Sequence, residues 1–152
     1  MPRYLIPAVM ALFLGGWQAG MAAEPDGAQT VCLLFNETGF KEKLALAMTD
    51  SLTARGYSVV SGRTGDAASF RPADFLAVVY MAEYRAFHAP GNQQDYSRSN
   101  PEARNIVFVT TSLSQSARKD NPLDAVTGAS KEADIPAMSG AVLERLDKIL
   151  RK

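Results

Sequence analysis

Four short clusters in this 152-residue chain hold side chains that could meet a ligand. The densest is Asp124-Ala125-Val126-Thr127-Gly128-Ala129-Ser130, a carboxylate followed three residues later by T-G-A-S. Asn36-Glu37-Thr38-Gly39-Phe40-Lys41 offers a hydroxyl beside a glycine, where backbone N–H groups at a helix start can cradle a phosphate. Thr110-Thr111, with Ser112 and Ser114, supplies hydroxyls that can bond a ring carbonyl or a phosphate oxygen. Tyr84 and Phe87 present flat apolar faces suited to stacking, with Arg85 beside them to neutralise an anion. Each cluster also has a structural reading. Thr38 can cap a helix, Tyr84 and Phe87 can cover a core, and the threonines and serines can be turn residues. In the heptad, Asp124 and Thr127 can make a turn, Gly128 can supply an unusual backbone angle, and Ser130 or Asp134 can cap a helix. Ser130, His88 and Asp124 contain the groups of a hydrolytic triad, but nothing in their spacing selects them.

The rest of the chain bounds these options. Arg3, the apolar run from Leu5 to Trp17 and the small residues Gly20-Met21-Ala22 read as a secretory signal peptide over residues 1–22. The expected location is therefore periplasmic or secreted, with no membrane attachment after cleavage. One domain is expected over residues 23–152. The chain carries 16 basic and 16 acidic side chains, so it has no basic field for nucleic acid or acidic lipid. Its single cysteine, Cys32, excludes an internal disulfide and sits in an apolar run as a small buried hydrophobe. Its single histidine, His88, excludes a multi-histidine metal site.

The elements that must position the clusters follow from hydrophobic patterning. Thr30 to Phe35, Phe75 to Ala82 and Ile106 to Thr111 are continuous apolar runs, suited to strands covered on both faces. Tyr57 to Ser61 is a shorter strand suited to a sheet edge. Asp124 to Val126 adds a short fifth. Phe40, Leu44, Ala47, Met48 and Leu52 form one stripe of a helix that Gly56 stops. Ile135, Met138, Val142, Leu146 and Ile149 form the stripe of a last helix over 135–150. Residues 62–74 read as loop with one helical turn near Ala67 to Phe70. Residues 85–104 read as a long irregular loop, which is often functional. This pattern predicts an α/β three-layer sandwich with a mostly parallel sheet of four to five strands, in order 2-1-3-4. A ligand crevice then lies beyond the carboxyl ends of the strands, where the strand order reverses.

This layout resembles a reduced flavodoxin-like domain, and Thr38-Gly39 matches two central positions of that family's phosphate loop. The resemblance implies noncovalent FMN, electron transfer to a redox partner protein, and a site lined by Thr38, Gly39, Tyr84, Thr110 and Thr111. The heptad resembles the acceptor motif of periplasmic flavin transferases. Asp124, Thr127, Gly128, Ala129 and Ser130 each match it, which implies FMN esterified to the Ser130 hydroxyl, with Gly128-Ala129 keeping access open. Both resemblances imply a flavin carrier rather than an enzyme acting by itself. A third reading is a cofactor-free periplasmic domain whose crevice meets a protein partner.

Overall fold

The computed structural model describes residues 29–85, 88–113 and 121–151. The expected signal peptide, Phe87 and Ser114 lie outside them. One parallel sheet forms from β1 (Thr30–Leu34), β2 (Ser58–Gly62), β3 (Ala77–Glu83), β4 (Ile106–Ser112) and β5 (Ala125–Ala129). The order is β2-β1-β3-β4-β5, as the apolar runs predict. The helices are α1 (Gly39–Ala54), α2 (Gly91–Ser99) and α3 (Ile135–Leu150).

Alternation along the strands divides the core. Leu33, Val79, Met81 and Val109 meet Leu44, Met48 and Leu52 of α1, and Met138, Val142 and Leu146 of α3. The opposite face sends Cys32, Leu34, Tyr80 and Phe108 toward Tyr96 of α2 and toward Phe70 and Phe75. Both faces are covered, so β1 is buried at every position and its sequence shows no polar alternation. Only β2, at the edge, mixes exposed and half-buried residues. Each fully buried Leu or Val stabilises by about 1.5–3 kcal/mol, which favours this three-layer arrangement over any that exposes a face.

Two glycines fix the geometry around this core. Gly56, the only positive-φ glycine among the described residues, sits at φ 87° just past α1. There Gly56 N–H donates to the Thr53 carbonyl (2.9 Å) and Tyr57 N–H to the Leu52 carbonyl (3.1 Å), closing the helix in a Schellman pair. Gly128 serves close approach instead: a Cβ there would lie 2.5 Å from Met138 Sδ of α3.

Several sequence expectations are corrected. The heptad is not a turn; Ala125–Ala129 runs as a full parallel strand with β4, and Gly128 has no left-handed angle. Residues 85–104 are not an irregular loop throughout, since α2 occupies Gly91–Ser99. Its segment GNQQDYSRS lacks an apolar stripe because only Gln93 and Tyr96 turn inward, and one of them is an amide. Residues 62–74 hold two 3-10 turns, Thr64–Ser69 and Pro72–Asp74, rather than one. Thr38 and Asp134 occupy the N-cap positions of α1 and α3, but neither side chain makes a capping hydrogen bond. Cys32 is buried as expected, and the loss of hydration pushes its thiol up to about 12. No helix among the described residues is long and apolar enough to cross a membrane.

Candidate functional site: a cleft at the strand-order switch

β1 and β3 are neighbours in the sheet, and their crossover helices leave on opposite faces. Beyond their carboxyl ends lies a cleft of about 500 Å³. Asn36 and Thr38 from the β1–α1 loop form one wall, with Lys41 of α1. Glu83, Arg85 and His88 form the other, and Gly91 and Asn92 at the start of α2 close the far end. This is where an open α/β sheet leaves room for a ligand, because the two loops separate there. A larger cavity of about 650 Å³ lies at the opposite, amino-terminal end of the strands, around Pro72, Leu76 and Asn105. The smaller one is the candidate site. It gathers a buried lysine and the starts of two α-helices, whereas in the larger one the Asn105 amide is already engaged with the carbonyls of Pro72 and Phe75.

The β1–α1 loop is held from the β2 side. Thr64 donates its hydroxyl hydrogen to Asn36 Oδ1, and Arg63 pairs with Glu37 at 2.7 Å, drawing that carboxylate toward β2. The first helical bond of α1 runs from Glu42 N–H to the Thr38 carbonyl at 3.0 Å. The amides of Gly39, Phe40 and Lys41 therefore have no helix carbonyl to bond, and the Thr38 side chain does not cap them. Nothing in the protein uses the small size of Gly39: a Cβ there would have no atom within 4 Å. Lys41 is buried, with a side-chain exposure of only 4%, and its Nζ donates to Glu83 Oε2 at 3.4 Å. On the opposite wall, Arg85 and His88 exchange backbone hydrogen bonds, His88 N–H to the Arg85 carbonyl at 2.9 Å and Arg85 N–H to the His88 carbonyl at 3.3 Å. Both side chains are exposed on the cleft.

Sequence reasoning placed seven residues in a site, and the structure separates them. Thr38 lines the cleft, and Gly39 begins the helix beside it. Tyr84 directly follows β3 but is 7% exposed and not part of the cleft wall. Its hydroxyl is buried with no hydrogen-bond partner among the described residues. Thr110 and Thr111 are wholly buried. The Thr110 hydroxyl donates to Gln93 Oε1 (2.8 Å) and accepts from Asn121 Nδ2 (3.0 Å), while Thr111 donates to the Ala82 carbonyl (3.4 Å). Thr127 stands in the middle of β5 opposite Thr110. Ser130 follows the end of β5, its N–H bonded to the Ser112 carbonyl at 2.8 Å.

The heptad is therefore stretched rather than gathered. Asp124 precedes β5 and Ser130 follows it, so six residues at about 3.3 Å each put them roughly 20 Å apart. Asp124 pairs with Arg145 of α3 at 2.9 Å. No triad of Ser130, His88 and Asp124 forms. Ser130 also lies two strands away from β3, about 10 Å along the sheet. Gly128 and Ala129 are buried and do not hold the segment open. Among the described residues, no cluster of three His, Cys, Asp or Glu could hold a metal ion.

Sequence reasoning missed Lys41, Glu83 and Gln93 as partners in this architecture. Lys41 had a readable signal, a base in the first turn after a Thr-Gly pair. Glu83 had none, because a carboxylate ending a buried strand is usually just a solvated terminus. Gln93 gave no signal because α2 itself was not predicted.

No protein-family model matches the chain, and no curated protein sequence does. Solved structures do match in shape. A flavodoxin from the domain Archaea aligns with a TM-score of 0.54 at 11% identity, over 79% of this chain and 98% of its own. A flavodiiron core from Synechocystis aligns at 0.57 and 13%, over 82% of this chain. Rubredoxin oxygen:oxidoreductase from Desulfovibrio gigas aligns at 0.50 and 13%, over 80% of this chain. The chain spans 37% and 36% of the length of those two larger proteins. At these identities the likeness concerns architecture alone: the chain has a flavodoxin-like fold.

Proposed function

We propose that this chain is a flavodoxin-like carrier that holds FMN noncovalently, with the phosphate at the start of α1, and exchanges electrons with a redox partner protein. One observation carries the reading: an uncapped helix start, an unobstructed Gly39 and a buried Lys41 ammonium share the cleft at the strand-order switch. Free amides at a helix N-terminus and the positive end of its dipole favour a phosphate there. Lys41, here paired with Glu83, adds a poorly hydrated positive charge that attracts an anion more strongly than a surface lysine would once Glu83 yields it.

The phosphate end of FMN fits these residues. The ring end finds a different environment from the one the sequence suggested. Among the described residues no Phe, Tyr or Trp lines the cleft, and His88 supplies the aromatic ring on its wall. When bound, FMN supplies the ring that accepts and returns electrons. The chain's own part is to bind the phosphate, orient the ligand against Arg85 and His88, and leave an open side facing solvent. The sequence of residues 1–22 supports export, so we place this activity in the periplasm or outside the cell.

A second reading is favoured by a specific observation. The hydroxyls of Thr110 and Thr111 are used inside the protein, and Glu83 already faces Lys41. This suits a cofactor-free interaction domain. Covalent attachment at Ser130 has less support, since Thr127, Gly128 and Ala129 belong to a packed strand. One experiment separates the three. The exported protein is purified, its visible absorbance is recorded before and after denaturation, and the intact chain is weighed. Yellow colour released on denaturation supports the proposal. A mass gain of one FMN less water, lost in Ser130→Ala, supports covalent attachment. A colourless chain of unmodified mass that takes up no added FMN supports the cofactor-free reading and rejects the proposal.

A further inference from the structure

The partners of the cleft's charges are unequal. Lys41 is buried and its ammonium has three donors, yet among the described residues its hydrogen bond goes to Glu83 alone, at 3.4 Å. A well-formed ammonium–carboxylate bond is about 2.7–2.9 Å. Lys41 is thus buried, under-bonded and part of a cleft wall. Glu83 is in the opposite position, with about a third of its side chain exposed, so water can solvate it if it turns away. The other nearby carboxylate, Glu37, is held outside the cleft by Arg63. With Glu83 in place, the lysine charge is cancelled. With Glu83 turned out, Lys41 and Arg85 face a cleft into which both α1 and α2 begin.

We propose that Glu83 is a resident competitor for the anionic end of the ligand, and that a phosphate monoester takes Lys41 from it as the Glu83 side chain swings to solvent. This rests on the phosphate half of the function proposed above and not on the flavin ring. Affinity is then set by an exchange of anions at Lys41 rather than by filling an empty charge.

The test is calorimetric titration of the full protein with inorganic phosphate and, separately, with FMN, at constant ionic strength. Glu83→Gln is expected to bind inorganic phosphate at least tenfold more tightly than the parent. Glu37→Gln removes the same charge from the neighbouring loop and is expected to stay within about twofold of it. Adding Lys41→Gln to Glu83→Gln is expected to cancel the gain. Glu83→Asp keeps the charge on a shorter arm. It is expected to fall between parent and Glu83→Gln, and it serves if the latter does not fold. Equal affinities for parent, Glu83→Gln and Glu83→Asp would overturn the proposal, as would a gain of similar size in Glu37→Gln or no phosphate binding by any variant. If phosphate follows the expected order and FMN does not bind, the flavin reading fails and this one stands. If FMN binds but Glu83→Gln changes neither affinity, this one fails alone.

Discussion

Replacing Gln93 by leucine should lower stability by an amount that its hydrogen bonds set. Gln93 is fully buried on α2, against the sheet. Its Nε2 donates to the Tyr80 carbonyl (2.9 Å) and the Val109 carbonyl (2.8 Å), and its Oε1 accepts from Thr110 (2.8 Å). Leucine has similar size and removes all three. At about 1 kcal/mol net per neutral hydrogen bond the loss is roughly 3 kcal/mol, offset by about 1 kcal/mol from the added apolar burial. With a urea slope of about 2 kcal/mol/M, the unfolding midpoint of Gln93→Leu falls by roughly 1 M. Thr110→Val deletes the bond to Gln93 and the acceptor of Asn121, for about 2 kcal/mol. The two share one bond, so the double variant should lose about 1 kcal/mol less than the sum of the singles. The assay is urea unfolding followed by circular dichroism on all four proteins. A Thr110→Val protein of unchanged stability but weakened FMN binding would refute the reasoning. It would show that the Thr110 hydroxyl serves a ligand rather than the core.

Three further outcomes follow from the packing. Tyr84→Phe removes a buried hydroxyl that has no partner, so the variant should be more stable by about 1–2 kcal/mol in the same urea assay. Gly128→Ala forces a methyl group against Met138 and should cost about 1–3 kcal/mol; because Met138→Ala opens space at that same contact, the double variant should lose less than the sum of the two singles in the urea assay. Alkali should destabilise the protein. Burial pushes Cys32 from 9.0 to about 12, and pushes Tyr80 from 10.0 to about 12. Both groups hold their protons more tightly folded than unfolded. Their contribution is complete below about pH 9 and is lost as pH rises toward 12. Melting temperature should fall across that window, and Cys32→Ala should shallow the early part of the fall.

The architecture was legible because the core is written in continuous apolar runs. T-V-C-L-L, A-V-V-Y-M and I-V-F-V can be stable only where both faces are covered, and that condition selects a parallel sheet between helices. Gly56 marked the end of α1 because only a left-handed residue closes it. The missed helix, α2, buries one amide and one phenol, and hydrophobic periodicity cannot register a buried glutamine. The site was half legible. Thr38 lines the crevice and Gly39 begins the helix beside it, because a loop after the first strand must open there. Thr110 and Thr111 are one and the same T-T pair to a sequence reader, yet alternation sends one hydroxyl to α2 and the other to a strand carbonyl. The heptad misled because motif spacing along a chain says nothing about whether the chain is coiled or extended. As the edge strand β5, it carries its two ends to the amino and carboxyl ends of the sheet.

The central claim is that the start of α1 and Lys41 hold a phosphate ester, with FMN as the cofactor. Its most direct test compares FMN with riboflavin, which carries the same ring and no phosphate, by fluorescence titration of the purified protein. FMN is expected to bind, and riboflavin to bind at least tenfold more weakly, a difference of about 1.4 kcal/mol or more. Equal binding of the two, or binding of neither, would contradict it.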